Sequence, residues 1–427
     1  YHARVSSDEV KNSRLQESCW ARKEIVASTQ TRPVNISRMK RSRSSFEESS
    51  TEHGGSTIKL LLHGADGVIP YMTPMLLQKY FAPPQPHLLL GVAVQDTCLV
   101  PIYPNDDSSK PKAYEFKDSW TKDSYLKDYP HVLVPSFDWN EDDSQKKSEA
   151  TDKGVSVWTL RGRQCLSNQS FVDLANSKNS GSSNTPVVSL YDSYEAPTTP
   201  VPRQQQRMHL KQQKREQQAT ERTLRWLQEL ISSNTFKNIW ATVGFGIKFS
   251  EQKNNLAHDK ISGLAIVGWE QIPDKKEFVT NLLGTKKAIA VLSVNSVESL
   301  LQCINYGADV VGTNLIKQWS LEHKAFCLCW KSSTSSSTDC ILDLADKIHE
   351  KDNSPLMENC KCLACSQNYS RAYIHHLVRA KELLAQILLM GHNLHHFLQL
   401  FEAATKARKD GQMQPFVDSC LQKLKFQ

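Results

Sequence analysis

Three cysteines within six residues constrain this chain more than any other feature of its sequence. Cys360, Cys362 and Cys365 place three thiols at spacings that let them close on one metal ion with little backbone strain. A tetrahedral structural site then needs one further ligand, most often an imidazole or another thiolate. The alternatives are a chance cluster of buried thiols and a disulfide, which a reducing compartment disfavours. The segment therefore predicts one structural Zn²⁺ per chain.

His392 is the predicted fourth ligand. If the helix that precedes it ran straight, a rise of about 1.5 Å per residue would carry this imidazole roughly 30 Å from the cysteines. We therefore predict a turn near Ala380 and Lys381, between a helix over Tyr369–Arg379 and a second, antiparallel helix that starts at Glu382. Such a turn returns His392 to the three thiols.

Two other histidines compete for the fourth position. His375 and His376 follow the cysteines directly but lie inside the first predicted helix, where one of them must face the core. A packed or a surface imidazole is the simpler interpretation of each, so His392 is preferred.

The residues around the cysteines resemble a known family. The pattern Cys-x-Cys-x-x-Cys, followed by Ser370-Arg-Ala-Tyr-Ile-His-His-Leu377 and an apolar helix that ends in His392-Asn393, is similar to the zinc subdomain of the tRNA-guanine transglycosylases, or queuine tRNA-ribosyltransferases. The resemblance is specific over about forty residues. It implies that Cys360, Cys362, Cys365 and His392 bind zinc.

Length and composition allow a large barrel with an appended subdomain. The chain has 427 residues, a net charge of +7 and eleven cysteines, an odd number. No secretory pattern or apolar run of membrane-spanning length is present, which predicts a soluble or peripheral protein in a reducing compartment. The mild basic excess is compatible with a polyanionic partner but does not indicate one.

The sequence divides into four predicted parts. Residues 1–56 are polar and expected to be disordered, and the basic run Lys40–Arg43 is better explained by solvation than by targeting. Residues 57–330 are predicted to form an α/β barrel of the (β/α)8 TIM type with polar insertions. Residues 331–355 are predicted to be a low-complexity linker, and 356–427 the zinc-binding helical subdomain.

Alternation of strands and helices predicts the barrel, because each crossover helix returns the chain in the same direction. A helix whose bounds the sequence does not define is also expected between the strands Ile239–Gly244 and Gly263–Val267. The predicted strands are Ile58–Leu62, His87–Val94, His131–Pro135, Gly154–Leu160, Ile239–Gly244, Gly263–Val267, Ala288–Ser293 and Asp309–Val311, and the bounded helices are Lys275–Leu283 and Ser296–Tyr306.

The barrel part resembles the same family more weakly. The stretch Gly263-Leu-Ala-Ile-Val-Gly268-Trp-Glu270 is similar to the Gly-Leu-Ala-Val-Gly-Glu stretch of the family's base pocket. The family carries its nucleophilic aspartate in a Gly-x-Asp-x-Phe-Asp motif, whose counterpart here is Gly307-Ala-Asp309-Val-Val-Gly312. Gly312 stands at the nucleophile position, and Asp309 matches the first, structural aspartate.

The second catalytic motif of the family, Asp-Ser-Gly-Gly, does not occur in this sequence. An aspartate elsewhere, such as Asp66, cannot take over proton transfer without lying within hydrogen-bond reach of the substrate. The resemblance therefore implies a non-catalytic accessory subunit that pairs with a catalytic subunit, which exchanges guanine for queuine at the tRNA wobble position. It also implies a heterodimer in the cytoplasm, attached peripherally to the mitochondrial outer membrane.

Two alternatives remain open: an active transglycosylase with a displaced nucleophile, and a zinc-stabilised RNA or protein interaction module. Several basic side chains could contact phosphates, although a solvated surface is the preferred explanation of each. They are Arg207, Lys211, Lys214, Arg215, Arg371, Arg379, Lys406, Arg408, Lys409, Lys423 and Lys425. Tyr373, Leu377, Leu394 and Phe397 are predicted either to contact a partner or to form the subdomain core.

Overall fold

The computed structural model describes residues 57–64, 69–82, 85–93, 100–102, 113–115, 129–135, 150–159, 162–178, 185–192, 205–233, 235–247, 256–327 and 340–424. Several predictions lie outside these residues: the disordered segment 1–56, the position of Asp66, the first part of the predicted linker, and Lys425. Residues 248–255, within the interval between Gly244 and Gly263 where a helix was predicted, also fall outside them.

Eight parallel strands close into a barrel, which confirms the predicted fold class. Their bounds are β1 Lys59–Gly64, β2 Leu88–Ala93, β5 His131–Val134, β9 Val187–Val188, β10 Ile239–Gly244, β11 Ile261–Val267, β12 Ala288–Val294 and β13 Val310–Thr313. Around the barrel they follow the order β1-β13-β12-β11-β10-β9-β5-β2. Closure pairs the first strand with the last, with Leu61 opposite Gly312.

Helices and short sheets surround or extend this barrel. The helices are α1 Pro74–Phe81, α2 Asn168–Lys178, α3 Gln205–Ser232, α4 Lys275–Leu283, α5 Val297–Tyr306, α6 Leu315–Leu321, α7 Leu363–Ser366, α8 Arg371–Ala380, α9 Leu383–Lys409 and α10 Met413–Leu424. The remaining strands are β3 Val100–Ile102, β4 Ala113–Glu115, β6 Ala150–Thr151, β7 Gly154–Thr159, β8 Gly162–Leu166, β14 Lys324–Phe326 and β15 Ile341–Asp343.

One strand predicted for the barrel lies outside it, and one barrel strand was not predicted. The strand predicted at Gly154–Leu160 does form, as β7, but it belongs to an antiparallel sheet with β6 and β8 outside the barrel. Its place in the barrel is taken by β9, which has only two residues. A two-residue strand is too short to produce a hydrophobic period, so the sequence could not show it.

Local signals explain why the second half of the barrel was predictable. The hydroxyl of Ser296 accepts a hydrogen bond from the amide of Ser299 and caps the start of α5. The helix ends at Gly307, whose φ of 110° lies in the left-handed region. The carboxylate of Asp274 caps α4 in the same way, by accepting from the amide of Glu277.

Alternate residues of the strands face two separate apolar clusters. One cluster contains only strand residues and fills the barrel interior, with Leu61, Trp240, Ala265, Leu292 and Val310 among its members. The other cluster joins the outward-facing strand residues to the surrounding helices. Such an alternation, in which both faces of each strand are buried, is expected for parallel strands that are covered on both sides.

The C-terminal part packs on a third apolar cluster, between α7, α8, α9 and the antiparallel pair of β14 and β15. Residues 340–355, which fall within the predicted linker, contain β15 and a short 3₁₀ turn at Lys347–His349. None of the helices that the structure describes is long and apolar enough to cross a membrane.

Candidate metal centre and barrel rim

The three cysteine side chains are positioned by the start of α7. Cys362 caps this helix, and its sulfur accepts a hydrogen bond from the amide of Cys365 at 3.3 Å. The sulfur of Cys360 accepts from the amide of Cys362 at 3.4 Å. Asn359 and Asn368, both with φ near +60°, turn the chain on either side of the segment. The backbone thus directs three thiols toward one point.

His392 reaches the same point because α8 and α9 are antiparallel. The chain reverses at Lys381, a left-handed residue with φ of 57°, which confirms the predicted turn. Gly391 also favours close packing of α9 on α7, since a Cβ atom there would lie 3.1 Å from the Cβ of Leu363. The completely buried imidazole of His392 therefore faces the cysteines.

The four predicted ligand atoms lie within 4.8 Å of one another. The Nδ1 atom of His392 is 3.2 Å from the sulfur of Cys362 and 3.7 Å from that of Cys365. In a tetrahedral site with metal–sulfur bonds of about 2.3 Å, ligand atoms are separated by roughly 3.5–3.8 Å. The donors are therefore close to the separations that one bound ion would give them. We call Cys360, Cys362, Cys365 and His392 the metal centre.

The electrostatics of the metal centre also favour a cation. Hydrogen bonds to Cys360 and Cys365, together with burial, raise the pKa of Cys362. Hydrogen bonds from Cys360 and Cys362 lower the pKa of Cys365 well below its usual value. One thiolate is thus stabilised at the expense of its neighbours, because negative charges this close repel one another. A divalent cation among the sulfurs removes that repulsion and allows all three to ionise.

The competing histidines are placed elsewhere. The Nδ1 atom of His375 lies 2.8 Å from the carbonyl oxygen of Leu344, to which it donates, and this ring is buried in the subdomain core. His376 is exposed on the outer face of α8. Neither belongs to the group of possible ligands, which favours His392.

Two residues beside the metal centre were not anticipated from the sequence. The Nε2 atom of His396 lies 3.3 Å from the sulfur of Cys360, and Nε2 of His392 lies 3.9 Å from the sulfur of Cys327. The spacing of His392 and His396, one helical turn apart, is a signal that could have identified the first. Cys327 carried no such signal, since it is 65 residues away from its neighbour.

Asn393, the second residue of the His-Asn pair, ties α9 to the neighbouring hairpin. Its side-chain oxygen accepts from the amide of Phe326 at 2.8 Å, and its side-chain nitrogen donates to the carbonyl of Lys324 at 3.0 Å. This residue is fully buried. The pair therefore combines a metal ligand with an anchor that fixes the helix bearing it.

Three of the basic residues predicted as phosphate contacts make internal interactions instead. Arg371 donates to Asp352 and to the carbonyls of Pro355 and Leu356. Arg215 forms a two-pronged ion pair with the buried carboxylate of Asp192. Both guanidinium groups bind acceptors within the chain. The structure therefore gives them a structural role and not one in phosphate binding.

Arg408, the third, is bound to Asp309 at the amino-terminal end of β13. Its guanidinium donates to the Asp309 carboxylate at 3.0 Å and to the carbonyls of Ile304 and Ala308. Burial lowers the pKa of Arg408. The other carboxylate oxygen of Asp309 accepts from the amide of Ile289 at 3.0 Å. Asp309 thus holds two strands and two helices together, the structural role predicted for it, at the opposite end of its strand from the rim.

Gly312 lies near the carboxyl end of β13, on the rim where barrel enzymes carry their active sites. A Cβ atom built on it would lie 2.0 Å from the carbonyl oxygen of Leu292 and 3.0 Å from Nε2 of His63. The pairing of β12 with β13 is irregular between Val291 and Val294, which brings this carbonyl close. The position therefore has neither a side chain nor room for one.

Residues of the Gly263–Glu270 stretch also make contacts that support the fold. A Cβ atom on Gly263 would lie 2.7 Å from the ring of Trp240, which fills the barrel interior there. Trp269 is buried, and the Glu270 carboxylate accepts from the amide of Asn295 and the hydroxyl of Ser299. The carboxylate is thereby engaged at the start of α5.

A family model described as queuine tRNA-ribosyltransferase matches residues 142–425, about two thirds of the chain. The chain belongs to this family. The match includes both the second half of the barrel and the metal centre, and it confirms the resemblance predicted from the cysteines and from Gly307–Gly312.

Several relatives in this family carry the name queuine tRNA-ribosyltransferase accessory subunit 2. The protein of Drosophila virilis is 36% identical over 119 residues, 28% of each chain. That of Anopheles gambiae is 39% identical over 106 residues, 24% of each, and that of Ixodes scapularis is 31% identical over 149 residues, 32% of this chain and 37% of the relative. The alignments thus span about a quarter to a third of these curated relatives.

Proposed function

We propose that this chain is a non-catalytic accessory subunit of a queuine tRNA-ribosyltransferase, paired with a catalytic subunit that exchanges guanine for queuine at the tRNA wobble position. The observation that carries the proposal is the blocked position of Gly312. Base exchange through a covalent intermediate needs a carboxylate that attacks the ribose. Glycine offers no attacking atom, and the adjacent Leu292 carbonyl and His63 ring occupy the space that a carboxylate would need.

The nearest carboxylate of the motif does not replace it. Asp309 is 22% exposed, is bound to Arg408, and lies at the opposite end of β13. Moving it to the rim would break an ion pair that is mostly buried and leave Arg408 without its counterion. An active enzyme with a nucleophile displaced to Asp309 is therefore disfavoured.

We propose that the metal centre binds one structural Zn²⁺. Three thiols and one imidazole are the donor set of structural zinc sites, and all four protein ligands are used, which leaves no open position for a substrate. When bound, the ion would cross-link α7 to α9, and the free energy of binding would add to the free energy of folding. The metal centre would therefore have a structural role and not a catalytic one.

Pairing with a catalytic subunit is supported by the relatives, which are named accessory subunits. Of the four residues predicted as partner contacts or core, Leu377, Leu394 and Phe397 are buried within the chain, whereas Tyr373 is 42% exposed. Tyr373 stacks on Tyr369 with ring centroids 5.5 Å apart. We propose that Tyr373 contacts the catalytic subunit in the heterodimer. The chain would bind tRNA as part of this heterodimer.

The proposal is tested by co-expression of this chain with a catalytic queuine tRNA-ribosyltransferase of the same organism. We expect the two to co-purify as a 1:1 complex that exchanges base faster than the catalytic subunit alone. Tyr373→Ala should weaken the complex, whereas Tyr80→Ala, a half-buried tyrosine of α1, should not. Failure to co-purify and failure to raise the partner's activity would together contradict the accessory role and favour an independent interaction module.

We also propose a cytoplasmic location with peripheral attachment to the mitochondrial outer membrane. The support for it is the resemblance to the accessory subunit. Fractionation of cells that express a tagged chain should show it on mitochondria, released by alkaline carbonate and accessible to added protease. A chain found only in the soluble fraction would contradict the attachment.

A further inference from the structure

His396 is a buried imidazole that faces the metal centre without belonging to it. It is 1% exposed, and its ring centroid lies 4.3 Å from that of His392, one turn earlier on α9. Its Nε2 atom is 3.3 Å from the sulfur of Cys360. An apolar side chain of similar size could fill this volume. Burial of the ring nitrogens costs free energy unless they form hydrogen bonds, so packing alone does not explain an imidazole here.

Cys360 is the most exposed of the four predicted ligands. Cys362 and Cys365 are buried, whereas Cys360 is only partly buried. A surface cavity of about 390 Å³ opens beside it, lined by Cys360, Cys365 and polar residues that include Glu358 and Asn368. Water and competing ligands therefore reach the Cys360 sulfur more readily than that of Cys362. The amide of Cys362 also donates to this sulfur, at 3.4 Å.

A hydrogen bond to a metal-bound thiolate has a defined effect. It stabilises negative charge on the sulfur and fixes the orientation of the side chain, and such outer partners typically change metal affinity about 10- to 100-fold when removed. The Cys360–His396 contact has the required atoms and distance, since sulfur accepts hydrogen bonds at up to about 4 Å.

We propose that His396 is a positioning residue, which donates its Nε2–H to the Cys360 thiolate and slows the release of the bound metal from its most accessible ligand. The proposal rests on the metal part of the proposed function, and it is independent of queuine exchange and of the partner.

The test compares the full-length zinc-loaded chain with His396→Phe, which keeps the ring volume but removes the donor, and with His396→Gln, which retains an N–H. The matched control is His376→Phe, the same substitution at an exposed histidine of the same subdomain. Zinc release to a chromogenic chelator is timed for each protein. The thiolate-to-cobalt charge-transfer band is recorded after replacement of zinc by Co²⁺.

We expect His396→Phe to release zinc at least about ten times faster and to shift the charge-transfer band to lower energy, because the sulfur loses a donor. His396→Gln should recover most of both properties, and His376→Phe should match the unmodified chain. If the Phe variant does not fold, His396→Leu takes its place in the same comparison.

Equal release rates and an unshifted band in the donor-free variant would overturn the proposal and make His396 a packing residue. A Gln variant as fast as the Phe variant would also overturn it, since the donor would then be irrelevant. If the unmodified chain retains neither zinc nor cobalt, the metal centre itself is refuted together with this role of His396. Normal metal retention without partner activation would refute only the accessory function.

Discussion

The imidazole of His63 donates a hydrogen bond from Nε2 to the carbonyl oxygen of Leu292 at 3.0 Å, beside the position where the family carries its nucleophile. This contact joins β1 to β12 across the rim and fills the space in front of Gly312. In this chain, the Leu292 carbonyl and the His63 ring thus occupy the space that a side chain at position 312 would need.

Substitution of Gly312 is predicted to destabilise the chain without creating activity. Gly312→Ala places a Cβ atom against the Leu292 carbonyl, and overpacking of this kind costs about 1–3 kcal/mol. Urea denaturation measures the change. The matched control is Gly284→Ala, where the new Cβ would lie 3.4 Å from its nearest neighbour and φ is −57°, so its free energy of unfolding should change little. Gly312→Asp should likewise be destabilised, and should not exchange guanine on its own.

Cys362→Ser is predicted to lower bound zinc from about one ion per chain toward none, and to destabilise the subdomain. Cys362 both supplies a ligand and caps α7. Metal analysis of the purified protein gives the stoichiometry. Cys165→Ser provides the control, because that thiol is exposed on β8 and outside the metal centre. Undiminished zinc in Cys362→Ser would refute the ligand assignment.

Asp309→Asn is predicted to cost about 3 kcal/mol of folding free energy, since it leaves the guanidinium of Arg408 buried without its counterion. A double-mutant cycle with Arg408→Met isolates the interaction between the two side chains. The double variant should be more stable than Asp309→Asn alone. If the two single effects simply add, the ion pair has no net role in stability.

His63 is predicted to make stability depend on pH. Burial lowers its pKa from 6.5 to about 3, so the folded chain keeps this ring neutral where the unfolded chain protonates it. Its contribution is complete above pH 6.5 and is lost as the pH falls from about 6.5 through 3. At pH 5 the loss amounts to about 2 kcal/mol.

The measurement is the free energy of unfolding of the unmodified chain and of His63→Gln at pH 7 and pH 5. The unmodified chain should lose about 2 kcal/mol more than the variant over this interval. His376→Gln, at an exposed site, should retain the pH dependence of the unmodified chain. Parallel slopes for all three proteins would show that His63 is not the group responsible.

Short-range patterns were the part of this fold that the sequence could predict. The cysteines lie within six residues, and the strands and helices from Ile239 to Thr313 have caps and apolar periods of their own. The return of His392 was predictable because a straight helix could not bring it to the cysteines. The fold class followed from the same alternation.

Long-range contacts were not predictable. Arg408 meets Asp309 across 99 residues, and its sequence context is that of any basic residue near a helix end. His63 meets Leu292 across 229 residues, so its place at the rim has no local signal. β7 has the residue pattern of a barrel strand, and only its antiparallel pairing shows that it lies outside the barrel.

The most direct test of the central claim is exchange of labelled guanine into tRNA by the purified chain, by a catalytic subunit, and by the two together. We predict no incorporation by this chain alone, since Gly312 offers no nucleophile, and more incorporation by the pair than by the catalytic subunit. Exchange by the chain alone, dependent on enzyme concentration and free of any co-purified transglycosylase, would contradict the account.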